Sequence, residues 1–181
     1  YVKFEIGQDM PINLDNYIIK YSVLNKYKST MDLQVILFPK YIEQICNQIA
    51  ENAGIKRKYL NINYDIIQKL MNINKLNINC DRCIIIENLD DEIILNLVEN
   101  GKIYNSNVFE KEGNVDYILK FLEKDINICY YGLEDHFLNQ IKENGFNVDK
   151  LKFDLKLNKL WIEKNVDKDI NNYIIYIGLV M

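Results

Sequence analysis

Proline is nearly missing from this 181-residue sequence: Pro11 and Pro39 are the only two, and glycine occurs seven times. Punctuation must therefore come from asparagine as much as from glycine, and no Gly/Ser-rich linker separates one segment from another. Histidine is scarcer still, with His136 alone. A zinc site needs more partners than that, and Cys80-Asp81-Arg82-Cys83 has no second CxxC to complete it. A basic excess is also missing. The 22 Lys and Arg face 26 Asp and Glu, the formal net charge is -4, and no basic stripe stands out. That balance argues against nucleic acid as a principal partner. The longest apolar runs, residues 83–86 and 173–181, fall far short of the ~20 residues of a membrane span, so the chain is not expected to cross a bilayer. No signal peptide is read, and the sequence opens on Tyr1 rather than Met, so upstream residues are expected.

What is present is an ordinary globular composition, 49% hydrophobic and 27% charged, enough for one domain or two small ones. The cysteines sit at 46, 80, 83 and 129. Cys83 opens an apolar, strand-like run instead of a helix N-terminus where a thiolate would be stabilised. The expectation is reduced, mostly buried thiols in a cytoplasmic protein.

Residues 83–109 organise the chain. The run Cys83-Ile84-Ile85-Ile86-Glu87 meets a polar corner, Asn88-Leu89-Asp90-Asp91, whose side chains turn by bonding their own backbone. A second run, residues 92–99, ends at Asn100-Gly101, the pair that tolerates the positive φ of a type I′ hairpin turn. A third run, 102–109, completes a three-stranded meander with Ile85 and Ile94 as expected core residues. Beyond it the pattern reads helix (capped by Asn114), strand 126–131, helix 133–144, strand 146–151, an ambiguous stretch 155–164 containing Trp161, and a closing helix 169–181. Three antiparallel strands followed by α-β-α-β-α is the order of a ribonuclease-H-like unit, two copies of which make an actin-like fold.

The first half reads as a short helix (or a strand over 2–6) before Pro11, strands 17–24 and 33–38, a helix opened by Pro39 and stopped by Gly54, a third strand 55–63 and a helix 64–71. The fold class is therefore α/β: a small ββαβα subdomain over residues 1–78, then a ribonuclease-H-like subdomain over 79–181.

The residues also carry a resemblance. Glu5-Ile6-x-Gln8-x-Met10-Pro11-x-Asn13-Leu14-Asp15, followed by Tyr17-Ile18-Ile19-x-Tyr21, resembles the E-I-x-Q-x-x-P-x-x-L-D stretch of the PilM family of actin-like type IV pilus assembly proteins. Residues 33–39 with the following helix and Ala53-Gly54-Ile55 are similar to that family's strand, A-P-K, helix, A-G-L segment, and Gly178-Leu179 to its terminal A-L-G-L-A helix. The resemblance spans nearly the whole chain through weak individual matches in the right order. It implies a cytoplasmic protein peripheral to the inner membrane. Its implied partners are the cytoplasmic N-terminus of a PilN-like membrane protein and a nearby pilus assembly ATPase.

The departures bear on activity. Where the family has a D-x-G-x-x-x-T phosphate hairpin, this chain has Glu87-Asn88-Leu89-Asp90-Asp91-Glu92, with Leu89 at the glycine position and four carboxylates in the turn. The glycine lets backbone N–H groups reach phosphate, and the carboxylates repel it. The adenosine-binding Gly-Gly is reduced to Tyr131-Gly132. The subdomain with the other phosphate loop and the helical insertion near 109–114 are expected to be absent. The expectation is thus a non-catalytic scaffold with no cofactor and a degenerate hairpin at Glu87, Asn88, Leu89, Asp90, Asp91 and Gly132. Tyr17 and Tyr21, with Lys20 beside them on an edge strand, are its candidate peptide-binding residues. Asp90, Asp91 and Glu92 read as a solvated turn in preference to a cation site, and His136 as a surface or helix-packing residue. The alternative is an ATPase using ATP and Mg²⁺, its phosphate loop lying upstream of Tyr1.

Overall fold

The computed structural model describes residues 1–56, 62–76, 78, 80–112, 115–133 and 135–151. By internal contacts the chain divides into two units, Tyr1–Leu60 and Asn61–Met181.

The first unit begins with α1 (Val2–Asp9), which stops before Pro11 as the proline rule requires. A short turn over Leu14–Asn16 follows, its first N–H groups met in part by Asn13 Oδ1, which accepts from Asp15 N at 3.0 Å. Then come β1 (Tyr17–Lys26) and β2 (Met31–Pro39), paired antiparallel from Tyr17↔Pro39 to Lys26↔Met31 with an irregularity between Val23 and Asn25. Pro39 caps α2 (Lys40–Asn52), and Gly54 (φ +67°) turns the chain out of it. No described residue of this unit is buried. The stripe Tyr41, Ile45, Ile49 on α2 has the helical spacing expected of an inward face, yet these side chains are 50–62% exposed. A two-stranded hairpin offers too little surface to cover such a stripe.

The second unit opens with α3 (Asn63–Asn72). Its sheet comprises β3 (Arg82–Asn88), β4 (Glu92–Glu99), β5 (Lys102–Glu110), β6 (Asn127–Gly132) and β7 (Val148–Lys150), in the order β5-β4-β3-β6-β7. The β3/β4 and β4/β5 pairs are antiparallel; β3/β6 and β6/β7 are parallel. This is the strand order of the ribonuclease-H-like unit. The central strand β3 is apolar along its length because both faces are covered. On one side Cys83 and Ile85 pack with Ile66, Ile67, Leu70 and Met71 of α3. On the other, Ile84 and Ile86 pack with Ile118 of α4 (Val115–Leu119) and with Phe137, Leu138 and Ile141 of α5 (His136–Glu143). The hairpin between β4 and β5 has both Asn100 (φ +51°) and Gly101 (φ +72°) left-handed, as a type I′ turn demands.

Several expectations are corrected. Residues 64–71 do form a helix, but it belongs with the second unit, because four apolar side chains on one face need a wide sheet to bury them; the division falls at 60/61 and not at 78/79. Ile55 and Lys56 lie in no strand, Ile62 is the N-cap of α3 and Asn63 opens it; residues 57–61 of the expected third strand fall outside the described residues, as do the Asn114 cap, Trp161 and the closing helix. The helix expected at 133 starts at His136, and the last strand is only three residues long. Ile94 is half-buried, whereas its neighbours Ile93 and Leu95 fill the core beneath α4 and α5.

α3 also ties down the sheet edge. The Gln68 amide donates to Gly101 O at 2.9 Å and accepts from Ile103 N at 2.8 Å, standing in for a neighbouring strand at the start of β5. A bulge there leaves Tyr104 unmatched, since Val98 pairs with Ile103 and Leu97 with Asn105. Chemical denaturation of Ile85→Ala should show a loss of about 2–5 kcal/mol from transfer and cavity terms. Gln68→Ala should cost about 1–3 kcal/mol, because it removes the side-chain bonds to Ile103 N and Gly101 O, and Asp90→Asn should stay within about 0.5 kcal/mol.

Candidate functional site

The chain order reverses between β3 and β6: after β3 it runs to β4 and β5 on one side, then crosses to β6 on the other. In open α/β sheets ligands bind outside the carboxyl ends of strands at such a point. Here those ends are Asn88 and Gly132, which face one another in register.

The two strand ends are very close. Leu133 N donates to Asn88 O at 2.9 Å, and a Cβ built on Gly132 would lie 2.2 Å from that same oxygen. Gly132 also has φ +98°, so glycine is required there twice over. Asn88, itself wholly buried, donates through Nδ2 to Leu133 O at 2.7 Å and to Asp135 Oδ1 at 3.0 Å. Asp135 caps α5 by accepting from Phe137 N at 3.1 Å. Its other oxygen accepts from Lys111 Nζ at 2.6 Å. Burial alone would raise the Asp135 carboxyl, but the hydrogen bonds of Lys111 and Asn88, the Lys111 charge and a backbone N–H hold it below its ordinary value. Lys111 also donates to the carbonyls of Leu89 and Asp90, and its own N–H to Asp91 O at 2.9 Å. The turn after β3 is closed by Leu89 N donating to Glu92 O at 3.0 Å.

Beside this turn lies a cleft of about 600 Å³. Asp90, Asp91, Glu92, Glu110, Glu112 and Asp135 line it, with Lys111 and His136 among them and Val115 and Phe137 as apolar wall. The single lysine is already bound to Asp135 and to carbonyls. Two like charges about 4 Å apart near a surface repel by about 4 kcal/mol. A polyphosphate entering here would meet several such contacts and, with Leu89 in the turn, no glycine to open the backbone to it. No group of metal-ligating side chains suited to a cation occurs among the described residues.

Glu87 does not join this cleft. Strand alternation puts it with Cys83 and Ile85 on the α3 side, where it is 1% exposed and accepts from Asn63 Nδ2 at 2.8 Å. Tyr131, its register partner on β6, faces the same pocket of core, but neither its hydroxyl nor Glu87 Oε2 completes a hydrogen bond. Burial raises the Glu87 carboxyl above its ordinary value; contacts with Tyr131 and Asn63 oppose this and the charge of Glu92 adds to it. Burial, then the Glu87 charge, puts the Tyr131 hydroxyl well above the usual phenol range.

The structure thus brings Asn88, Asp90, Asp91 and Gly132 around one mouth, holds Leu89 in the turn, and separates Glu87 from them. His136, expected on a surface or in helix packing, is the first residue of α5 and lines the cleft. Tyr17 and Tyr21 lie in the other unit, on the same face of β1. Tyr17 borders a hollow of about 610 Å³ with Pro39, Tyr41 and Gln44, and Tyr21 is 59% exposed. Sequence reasoning missed Lys111, Asp135 and Asn63. Asp135 had a readable signal, an Asp just before an apolar helical run.

Two variants test this geometry. Gly132→Ala should cost about 3 kcal/mol, from positive φ and a backbone clash together, and denaturation reads it directly. For Glu87 the folded carboxyl titrates above the unfolded one, so its contribution is fully present below the unfolded value and is lost as pH rises through the folded value. Stability should therefore fall with rising pH from the ordinary glutamate range upward, and Glu87→Gln should flatten that fall.

No family profile and no curated protein matches the chain. Solved structures do. A Bacteroides thetaiotaomicron VPI-5482 protein of actin-like ATPase fold and unknown function superposes with a TM-score of 0.57 at 13% identity, covering 98% of this chain and 63% of that one. AlfA from B. subtilis plasmid pLS32, in its filament structure, gives a TM-score of 0.39 at 17% identity over 61% of this chain and 42% of its own. The chain therefore spans a little under two thirds of the length of the Bacteroides protein, and its fold is actin-like.

Proposed function

We propose that this chain is a non-catalytic actin-like scaffold that works by holding a partner peptide. The observation that carries this reading is the lining of the cleft at the β3/β6 mouth. Six carboxylates surround the place where the fold would seat a nucleotide's phosphates, and the one lysine there is bound to Asp135. A fold that keeps its sheet but carries the wrong charge for polyphosphate is left with its surfaces. The first unit has them: β1 presents Tyr17, Ile19 and Tyr21 on one face, and the hollow beside Tyr17 has an aromatic wall in Tyr41. An extended peptide paired with such a strand gains backbone hydrogen bonds, and pockets for alternate side chains select it.

The PilM resemblance gives the partner its identity in this reading: the cytoplasmic N-terminus of a PilN-like membrane protein, on the cytoplasmic side of a type IV pilus assembly complex with its assembly ATPase nearby. A labelled peptide copying that terminus from the same organism should bind the chain, read by fluorescence anisotropy. Tyr21→Ala should weaken binding by about tenfold, the scale of an interface tyrosine, with the circular dichroism spectrum unchanged. A peptide that fails to bind the full-length protein overturns the pilus reading; binding insensitive to Tyr17 and Tyr21 moves the groove off β1.

A further inference from the structure

The sheet of the second unit ends on β5, and among the described residues no strand pairs with its outer side. Edge strands are commonly blunted with charge, proline or a bulge, because their unpaired backbone groups invite another strand. β5 carries such devices only towards its ends. At the start, Gln68 occupies Gly101 O and Ile103 N, and the bulge leaves Tyr104 unmatched. Lys102 and Glu110 bound the strand, and the residues between them, Ile-Tyr-Asn-Ser-Asn-Val-Phe, hold no charge, proline or glycine. Tyr104, Asn105, Ser106 and Val108 are all exposed.

The order of residues along β5 is self-complementary. Turned end for end about Ser106, Tyr104 falls on Val108, Asn105 on Asn107, and Lys102 towards Glu110. Two such strands side by side therefore set cation towards carboxylate at both ends, an aromatic ring against a β-branched side chain, and amide against amide. Moving the centre to Asn105 or Asn107 loses the charge match and sets Tyr104 against Ser106 or Glu110. On the α4 side of the same edge, Phe109 contacts the rings of Tyr117 and Phe121 at centroid distances of 6.0 and 5.3 Å. Those two rings are 53% and 44% exposed, and a strand added outside β5 extends the sheet beside them.

We propose that two copies of this chain associate through their β5 edges, paired antiparallel about Ser106, so that the two five-stranded sheets run on as one. The contact is isologous: the same edge serves both copies, so the pair closes on itself and stops at two. Main-chain hydrogen bonds supply the attraction, and the match of Lys102 with Glu110 selects the register.

Sedimentation equilibrium of the full chain tests this. The mass should rise with concentration from one chain to two and no further. Lys102→Glu and Glu110→Lys should each weaken self-association by about tenfold, the scale of two exposed ion pairs turned to repulsion, and an equimolar mixture of the two variants should restore it. Ser106→Cys should link to its own copy under mild oxidation, as mapped by mass spectrometry, because opposed residues of an antiparallel pair lie roughly 4.5–5.5 Å apart at Cα, within disulfide reach. A chain that stays monomeric at millimolar concentration overturns the proposal; slow hydrogen exchange of amides 104–108 in that monomer would mean that another segment covers the edge. A dimer that ignores both charge variants, a mixture that fails to restore it, or a dimer in which position 106 never links to itself would also overturn it.

Discussion

One backbone approach governs the region around the candidate site: the hydrogen bond from Leu133 N to Asn88 O, made across Gly132. A side chain at position 132 would hold β6 away from β3, and the parallel pair would open at its carboxyl end. With the strands closed, the Asn88 amide can reach Leu133 and Asp135, Asp135 can cap α5, and Lys111 can bind the far oxygen of Asp135 while holding the Leu89 and Asp90 carbonyls. The turn after β3 is thus fixed from behind by a lysine.

That arrangement divides charge across the sheet. On the α5 side the carboxylates line the open cleft. On the α3 side Glu87 is sealed in core with one donor, Asn63, and an unfulfilled neighbour in Tyr131. Burial holds the proton of that carboxyl more firmly than water would, and the acidic rim lies on the other side of the strand.

The parts of the fold legible in the sequence were those set by local chemistry. Asn100-Gly101 announced its turn because few residues accept positive φ, and the apolar run of β3 announced a strand; the similar run 33–38 suggested a strand buried on both faces, yet in β2 it is only half-buried. The assignment of α3 was not legible: its four apolar residues say that one face is buried but not which sheet buries it. The α2 stripe has helical spacing yet stays exposed, because periodicity cannot supply the surface that would cover it. At the site, the acidic turn was read as one cluster, yet period-two alternation from Ile85 already placed Glu87 on the far side. Lys111 had no local signature, since its partners lie about twenty residues away on either side along the chain.

The proposal stands on one central claim, that the mouth of this actin-like sheet would turn away polyphosphate by charge and by a closed turn. Isothermal titration of the folded full-length protein with ATP and Mg²⁺ addresses it most directly. The account predicts no saturable heat at millimolar nucleotide, and no gain in thermal stability. Micromolar, magnesium-dependent binding that is lost in a variant of the 88–92 turn would contradict it.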